Sequence, residues 1–185
     1  MPDKNIGKKN ILTEKKNNME IIEKCNQTLE ELYKFSPEIL YLGENIIDSR
    51  LESLEEEIGY KLPEDFKYIM KKHNGITLAG TQIYGLSAEL KEGSLDKIYV
   101  FEHSEVENPM PKNFLPFSPD GRGNHYCLDL SKLEANVCPV MFWQWDFEYD
   151  NLEDVEVSND NFAEWVNEVM IEWTLQMYNF DGTEK

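Results

Sequence analysis

Cysteine, histidine and, over most of the chain, positive charge are scarce. The three cysteines, Cys25, Cys127 and Cys138, are odd in number and widely spaced, with no Cys-x-x-Cys pair. This argues against a disulfide framework and a zinc site, and free thiols suit a reducing compartment. The three histidines, His73, His103 and His125, fall in separate segments, and no HExxH, GxSxG or P-loop motif is present. His125 and Asp129 share one face of a strand, but about 13 Å of extended chain separates them, and Cys127 has no identifiable base to activate it. The expectation is a protein that is not an enzyme, with no cofactor and no metal. No apolar run approaches the roughly 18 residues needed to span a bilayer. The N-terminal lysines are not followed by an apolar core of signal-peptide length. Both absences point to a soluble, cytoplasmic protein.

Basic residues are missing where acids abound. The net charge is −18, yet residues 1–24 carry six lysines against four acids, so the rest of the chain is near −20. Between Phe101 and Glu184 only Lys112, Arg122 and Lys132 face eighteen acids. Such a field repels nucleic acid and anionic lipid and attracts basic proteins. Solubility alone is the other reading of the same charge.

Enough apolar residues remain for a core, 41% of the chain with 12% aromatic. Residues 1–18, rich in Lys and Asn, read as a disordered tail, and residues 19–45 as a helical extension and connection. Ile21, Ile22, Cys25, Leu29, Leu32 and Tyr33 recur at helical spacing, and Ser36-Pro37 ends the pattern. Ile47, Leu51, Leu54 and Ile58 form one helical stripe closed by Gly59. Leu62-Pro63 opens a second helix, with Glu64 and Asp65 at its positive end and Asn74-Gly75 after it. The period then shortens. Thr81–Gly85 reads as a strand, Lys97–Phe101 as an edge strand or extended loop, and residues 102–113 as a solvated loop containing Glu102, Glu105 and Glu107.

Phe114–Leu130 reads as a hairpin. Phe114–Phe117 enters, Asp120, Gly121 and Gly123 make the turn, and Tyr126, Leu128 and Leu130 alternate with His125, Cys127 and Asp129. Pro139–Trp145 is the strongest β run, Asp146–Asp154 an acidic loop, and Val155–Val157 a short strand. Ser158 stands where a cap for the last helix is expected, with Phe162, Trp165, Val166, Val169, Met170 and Trp173 as its buried stripe, and residues 176–185 as a C-terminal tail. Helices, then a strand meander, then a helix, argue an α+β fold with a mostly antiparallel sheet.

In order along the chain, several segments resemble the SUKH domain. These are Leu51-x-x-Leu-Glu-x-x-Ile-Gly-x-x-Leu-Pro-x-Asp-Phe-Lys, then Asn74-Gly75, Ile83-Tyr-Gly-Leu86, Leu115-Pro-Phe117 and Asp120-Gly-x-Gly-Asn124. Tyr126-Cys-Leu-Asp-Leu130, Pro139-Val140 and Phe162-x-x-Trp-Val166 follow. The resemblance spans about Ile46 to Met170, within a domain drawn over residues 46–175. It implies N-terminal helices and a C-terminal helix packed around a central, mostly antiparallel sheet. It also implies a binding role: many bacterial members are immunity proteins that neutralise toxin domains, often nucleases, and fungal members are scaffolds that regulate cell-wall synthesis. It transfers no catalytic residues.

Candidate binding residues follow from charge and aromaticity. Trp143 and Trp145, two apart on a strand, share a face, either in the core or as an aromatic platform. The following loop carries Asp146, Glu148 and Asp150 with Phe147 and Tyr149 interleaved, a pattern that suits a basic partner or a solvated loop. Asp120 and Arg122 sit at the neighbouring turn, where turn geometry is the competing explanation. The partner expected is a cognate, basic toxin domain, met through Trp143, Trp145, Asp146, Glu148, Tyr149, Asp150, Asp120 and Arg122. The alternative is an intracellular scaffold or regulatory protein-binding domain. Neither nucleic acid nor membrane is expected to bind, and a monomer is expected.

Overall fold

The computed structural model describes residues 4–185. Helix α1 (Lys4–Leu32) leads into strand β1 (Leu40–Leu42), then α2 (Asp48–Ile58) and α3 (Glu64–Lys72). The short strands β2 (Ile76–Leu78) and β3 (Thr81–Ile83) follow, then α4 (Leu95–Ser104). A meander of β4 (Phe114–Pro119), β5 (His125–Asp129), β6 (Val140–Trp143) and β7 (Glu156–Asn159) completes the β structure. The chain closes with α5 (Phe162–Trp165), a π-helical segment (Val166–Glu172) and α6 (Trp173–Met177). The fold is α+β with two antiparallel sheets, β1-β2-β3 and β4-β5-β6-β7. A hydrogen bond from Tyr84 N to Phe117 O, 2.8 Å, joins them. Pro116 and Pro119 are tolerated because β4 is an edge strand of its sheet, where a missing N–H costs least.

One core lies between the helices and one face of the four-stranded sheet. Cys25, Leu29 and Leu32 of α1 meet Phe66, Ile69 and Met70 of α3, with Leu115, Phe117, Leu128 and Trp165 across from them. Phe117 makes edge-to-face contacts with Phe162 and Trp165 at 5.0 and 4.8 Å, an arrangement that adds specificity to apolar burial. The sheet's other face holds a second, smaller cluster of Met110, Phe114, Cys127, Met141, Trp143 and Val155. The strand β5 is therefore covered on both sides, not half-buried. Tyr126, Leu128 and Leu130 face the large core, and Cys127 joins the small one.

Asp65, buried at the start of α3, ties the two ends of the domain together. Its Oδ1 accepts from Phe66 N at 2.9 Å and its Oδ2 from Ala163 N at 3.1 Å, so one carboxylate serves two helix N-termini. Burial still dominates over these amide donors and pushes its carboxyl up to about 6.

Several local expectations are corrected. α1 begins at Lys4, so the helix runs through most of the segment read as a tail, and residues 1–3 lie outside the described residues. Residues 4–32 hold no proline, and Gly7 is the one strongly unfavourable helix former among them, a cost that α1 bears once its C-terminal half is anchored through Cys25, Leu29 and Leu32. The connection after Pro37 contains β1, paired with β2 through Tyr41 and Thr77. Residues 97–101 are helical, not extended. β-branched and aromatic residues there mimic a strand, but Leu95, Ile98 and Glu102 line the inward side of α4. The last helix is capped by Asn161, whose side chain accepts from Glu164 N at 3.0 Å, while Ser158 stays in β7. Trp173 is 48% exposed, because the π-helical segment shifts the helical register and Thr174 takes the inward place. Residues 178–184 do not trail away. Tyr178 bridges to Glu184, and the Phe180 ring lies 4.8 Å from Phe35.

Candidate partner-binding site

The turn between β4 and β5 is built by Asp120. Its Oδ1 accepts from Arg122 N (2.7 Å) and Asn124 N (3.0 Å), and its Oδ2 from Asn124 Nδ2 (2.7 Å). Gly121 and Gly123 supply the positive φ values of 79° and 97° that this reversal needs. Asp120 thus holds the turn in shape.

This turn supports the β6–β7 loop. The Trp145 indole donates from Nε1 to Arg122 O at 3.1 Å, and Trp145 N donates to Asn124 Oδ1 at 3.3 Å. A Cβ on Gly123 would stand 2.7 Å from the Trp145 ring, so only glycine lets the indole lie this close. From the other side Asn108 Nδ2 donates to Trp145 O and Phe147 O, both at 3.0 Å. Trp145 is fixed on three sides and still 52% exposed.

Trp143 and Trp145 part company. β6 ends at Trp143, which is 4% exposed and packs in the small cluster, its ring 4.8 Å from Tyr149 and 6.1 Å from Phe114. The chain leaves the strand before Trp145, so the period-two expectation of a shared face fails. Tyr149 is half-buried, and its hydroxyl accepts from Gln144 N at 3.2 Å. It braces the loop over Trp143.

Trp145, Asp146 and Glu148 converge on a groove of about 690 Å³ with Gly123 and residues 101–108. The opposite wall comes from α4 and the turn after it: Phe101, Glu102, Glu105, Val106, Glu107 and Asn108. Among the described residues, five carboxylates and no cation line it, beside the exposed rings of Phe101 and Trp145. Burial raises the Glu102 carboxyl above its ordinary range. Asp150, exposed in the same loop, and the Arg122 side chain lie outside the groove lining. The structure thus keeps three of the eight candidate residues at the groove. It uses Tyr149, Asp120 and the Arg122 backbone as supports and buries Trp143.

The α4 wall is not legible in the sequence, where Glu102, Glu105 and Glu107 look like one more solvated run. Ser94 at the N-cap, Asp96 in the first turn and the Leu95/Ile98/Glu102 spacing were the available signal for a helix there.

The histidines are occupied elsewhere. His73 accepts at Nε2 from Tyr33 OH (2.6 Å) and donates from Nδ1 to Gly43 O (3.3 Å). His125, buried with Nε2 3.1 Å from Tyr84 OH, is pushed down to about 4 by desolvation. The thiols of Cys25 and Cys138 are raised by burial and are poor nucleophiles.

The fold sets two antiparallel sheets against helices, with an acidic and aromatic groove on one side. The profile of the SMI1/KNR4 family (SUKH-1) matches residues 46–168, about two thirds of the chain, and the chain belongs to that family. It is a SUKH-type protein-binding domain, and β1 and α1 lie before the matched region. No curated protein matches the chain as a relative. Among the described residues no helix is long and apolar enough to cross a membrane.

Proposed function

We propose that this protein is an immunity protein that binds and neutralises a cognate, basic, nuclease-type toxin in the cytoplasm. The reading is carried by one observation: a groove walled by five carboxylates and two exposed aromatic rings, with no cation in its lining among the described residues. The chain as a whole carries −18, so a basic partner is drawn to it from a distance. Action is stoichiometric, not catalytic. The acidic face takes the place of nucleic acid on the toxin, the carboxylates steer the encounter, and the rings supply the buried contact. The protein acts as a monomer.

The test is co-expression with the toxin candidate encoded beside this chain, together with affinity capture from the native organism. The expected result is growth protection and a basic toxin domain recovered at equal stoichiometry. Capture of a non-toxin regulatory partner without protection would instead favour a scaffold role of the fungal kind.

A further inference from the structure

Among the described residues four carboxylate side chains are buried: Glu55, Asp65, Glu102 and Asp129. Three are satisfied from within. Glu55 accepts from Leu62 N (2.9 Å) and pairs with Lys61, and Asp65 holds the amides of Phe66 and Ala163. Asp129 accepts from Asn113 Nδ2 (2.7 Å) and Ser131 Oγ (2.6 Å), with Lys132 Nζ at 3.3 Å. Glu102 stands apart. Among the described residues no donor or cation meets its carboxylate, although it is only 9% exposed. It lines the acidic groove, and burial first, with its nearby negative charge second, raises the Tyr84 hydroxyl and the Cys127 thiol. A carboxylate kept largely out of water without a partner is costly, and the cost falls when a donor arrives from outside.

We propose that this groove is a receptor for one arginine side chain of the partner, with Glu102 receiving the guanidinium beside the Trp145 ring. The proposal rests on the reading that this face meets a basic protein, and it names the residue that protein inserts. A guanidinium suits the lining better than an ammonium. It forks onto carboxylates, lies flat on aromatic rings and is the less strongly hydrated of the two cations. Glu105 and Glu107 from one wall and Asp146 and Glu148 from the other share its charge. A divalent metal is a poorer fit, since among the described residues no three carboxylate, imidazole or thiol groups cluster to hold one.

The test is an NMR titration of the full chain with the peptide acetyl-Gly-Arg-Gly-amide and with its citrulline counterpart, which keeps the shape and loses the charge. The arginine peptide is expected to give saturating shifts at the Trp145 indole N–H and the amides of Phe101 and Glu102. The citrulline peptide is expected to give none. Glu102→Gln weakens binding by about tenfold, Glu102→Asp also weakens it although charge is kept, and Glu30→Gln on α1 leaves it unchanged. Glu102→Gln keeps the side-chain shape and removes an unpaired charge, so its melting temperature matches or exceeds that of the parent. Equal response to citrulline, insensitivity to both Glu102 variants, or shifts that bypass Trp145 would overturn the proposal. A captured basic partner whose affinity ignores Glu102→Gln would overturn the arginine receptor alone. Arginine-peptide binding without any basic protein partner would overturn the partner reading alone.

Discussion

Two tryptophans two residues apart carry opposite duties. Trp143 is core, packed on Tyr149 and Phe114, whereas Trp145 is held out by the turn beneath it. Trp143→Ala is expected to destabilise the fold by about 3–5 kcal/mol, as for other large-to-small core changes, which denaturant unfolding would measure. Trp145→Ala is expected to leave unfolding nearly unchanged and to weaken partner binding by tenfold or more, the usual cost of losing an aromatic anchor. Gly123→Ala tests the support directly. A β-carbon there meets the indole at 2.7 Å in a backbone conformation with φ 97°. The expected outcome is a lowered melting temperature together with a displaced Trp145 fluorescence maximum.

At the level of elements, α3 and α5 depend on each other through Asp65. Asp65→Ala leaves two amides, those of Phe66 and Ala163, without their acceptor and is expected to cost about 2–4 kcal/mol. The pH dependence has a definite sign. The carboxyl is raised to about 6 in the folded state, against about 4 in an unfolded chain. The folded protein therefore holds this proton more tightly, and Asp65 contributes extra stability at low pH that is lost as pH rises through about 4 to 6. Asp65→Asn cannot titrate. The stability difference, parent minus Asp65→Asn, is expected to be larger at pH 4 than at pH 7, by up to about 3 kcal/mol. A difference that stayed flat across that range would show that burial does not govern this carboxyl.

The same scale shows what the sequence makes legible. Local chemistry marks α2, closed by Gly59 in the left-handed conformation, and α3, opened by Pro63. It also marks the hairpin turn and the β5 alternation, because caps, turns and periodicity are set by neighbours in the chain. α4 is hidden, since Ile98, Tyr99, Val100 and Phe101 favour a strand by propensity and become helical only where tertiary packing accepts Leu95 and Ile98. Half the candidate groove was hidden with it. Trp145, Asp146 and Glu148 are visible as an aromatic and acidic loop, but their convergence with Glu102, Glu105 and Glu107 arises from two segments about 40 residues apart. No period or motif encodes that meeting.

For the whole molecule, charge and fold divide the work. The α+β SUKH frame positions two walls, and under the proposed function the net charge of −18 would draw a basic partner toward them. The most direct test is the association rate constant with the captured partner, measured by stopped-flow or surface binding from about 50 mM to 500 mM salt, a range over which the Debye length falls to a few ångströms. Electrostatic steering predicts a fall of at least about tenfold in the on-rate, with the off-rate changing far less. An on-rate that does not respond to salt would contradict the claim that this acidic face is built for a basic protein.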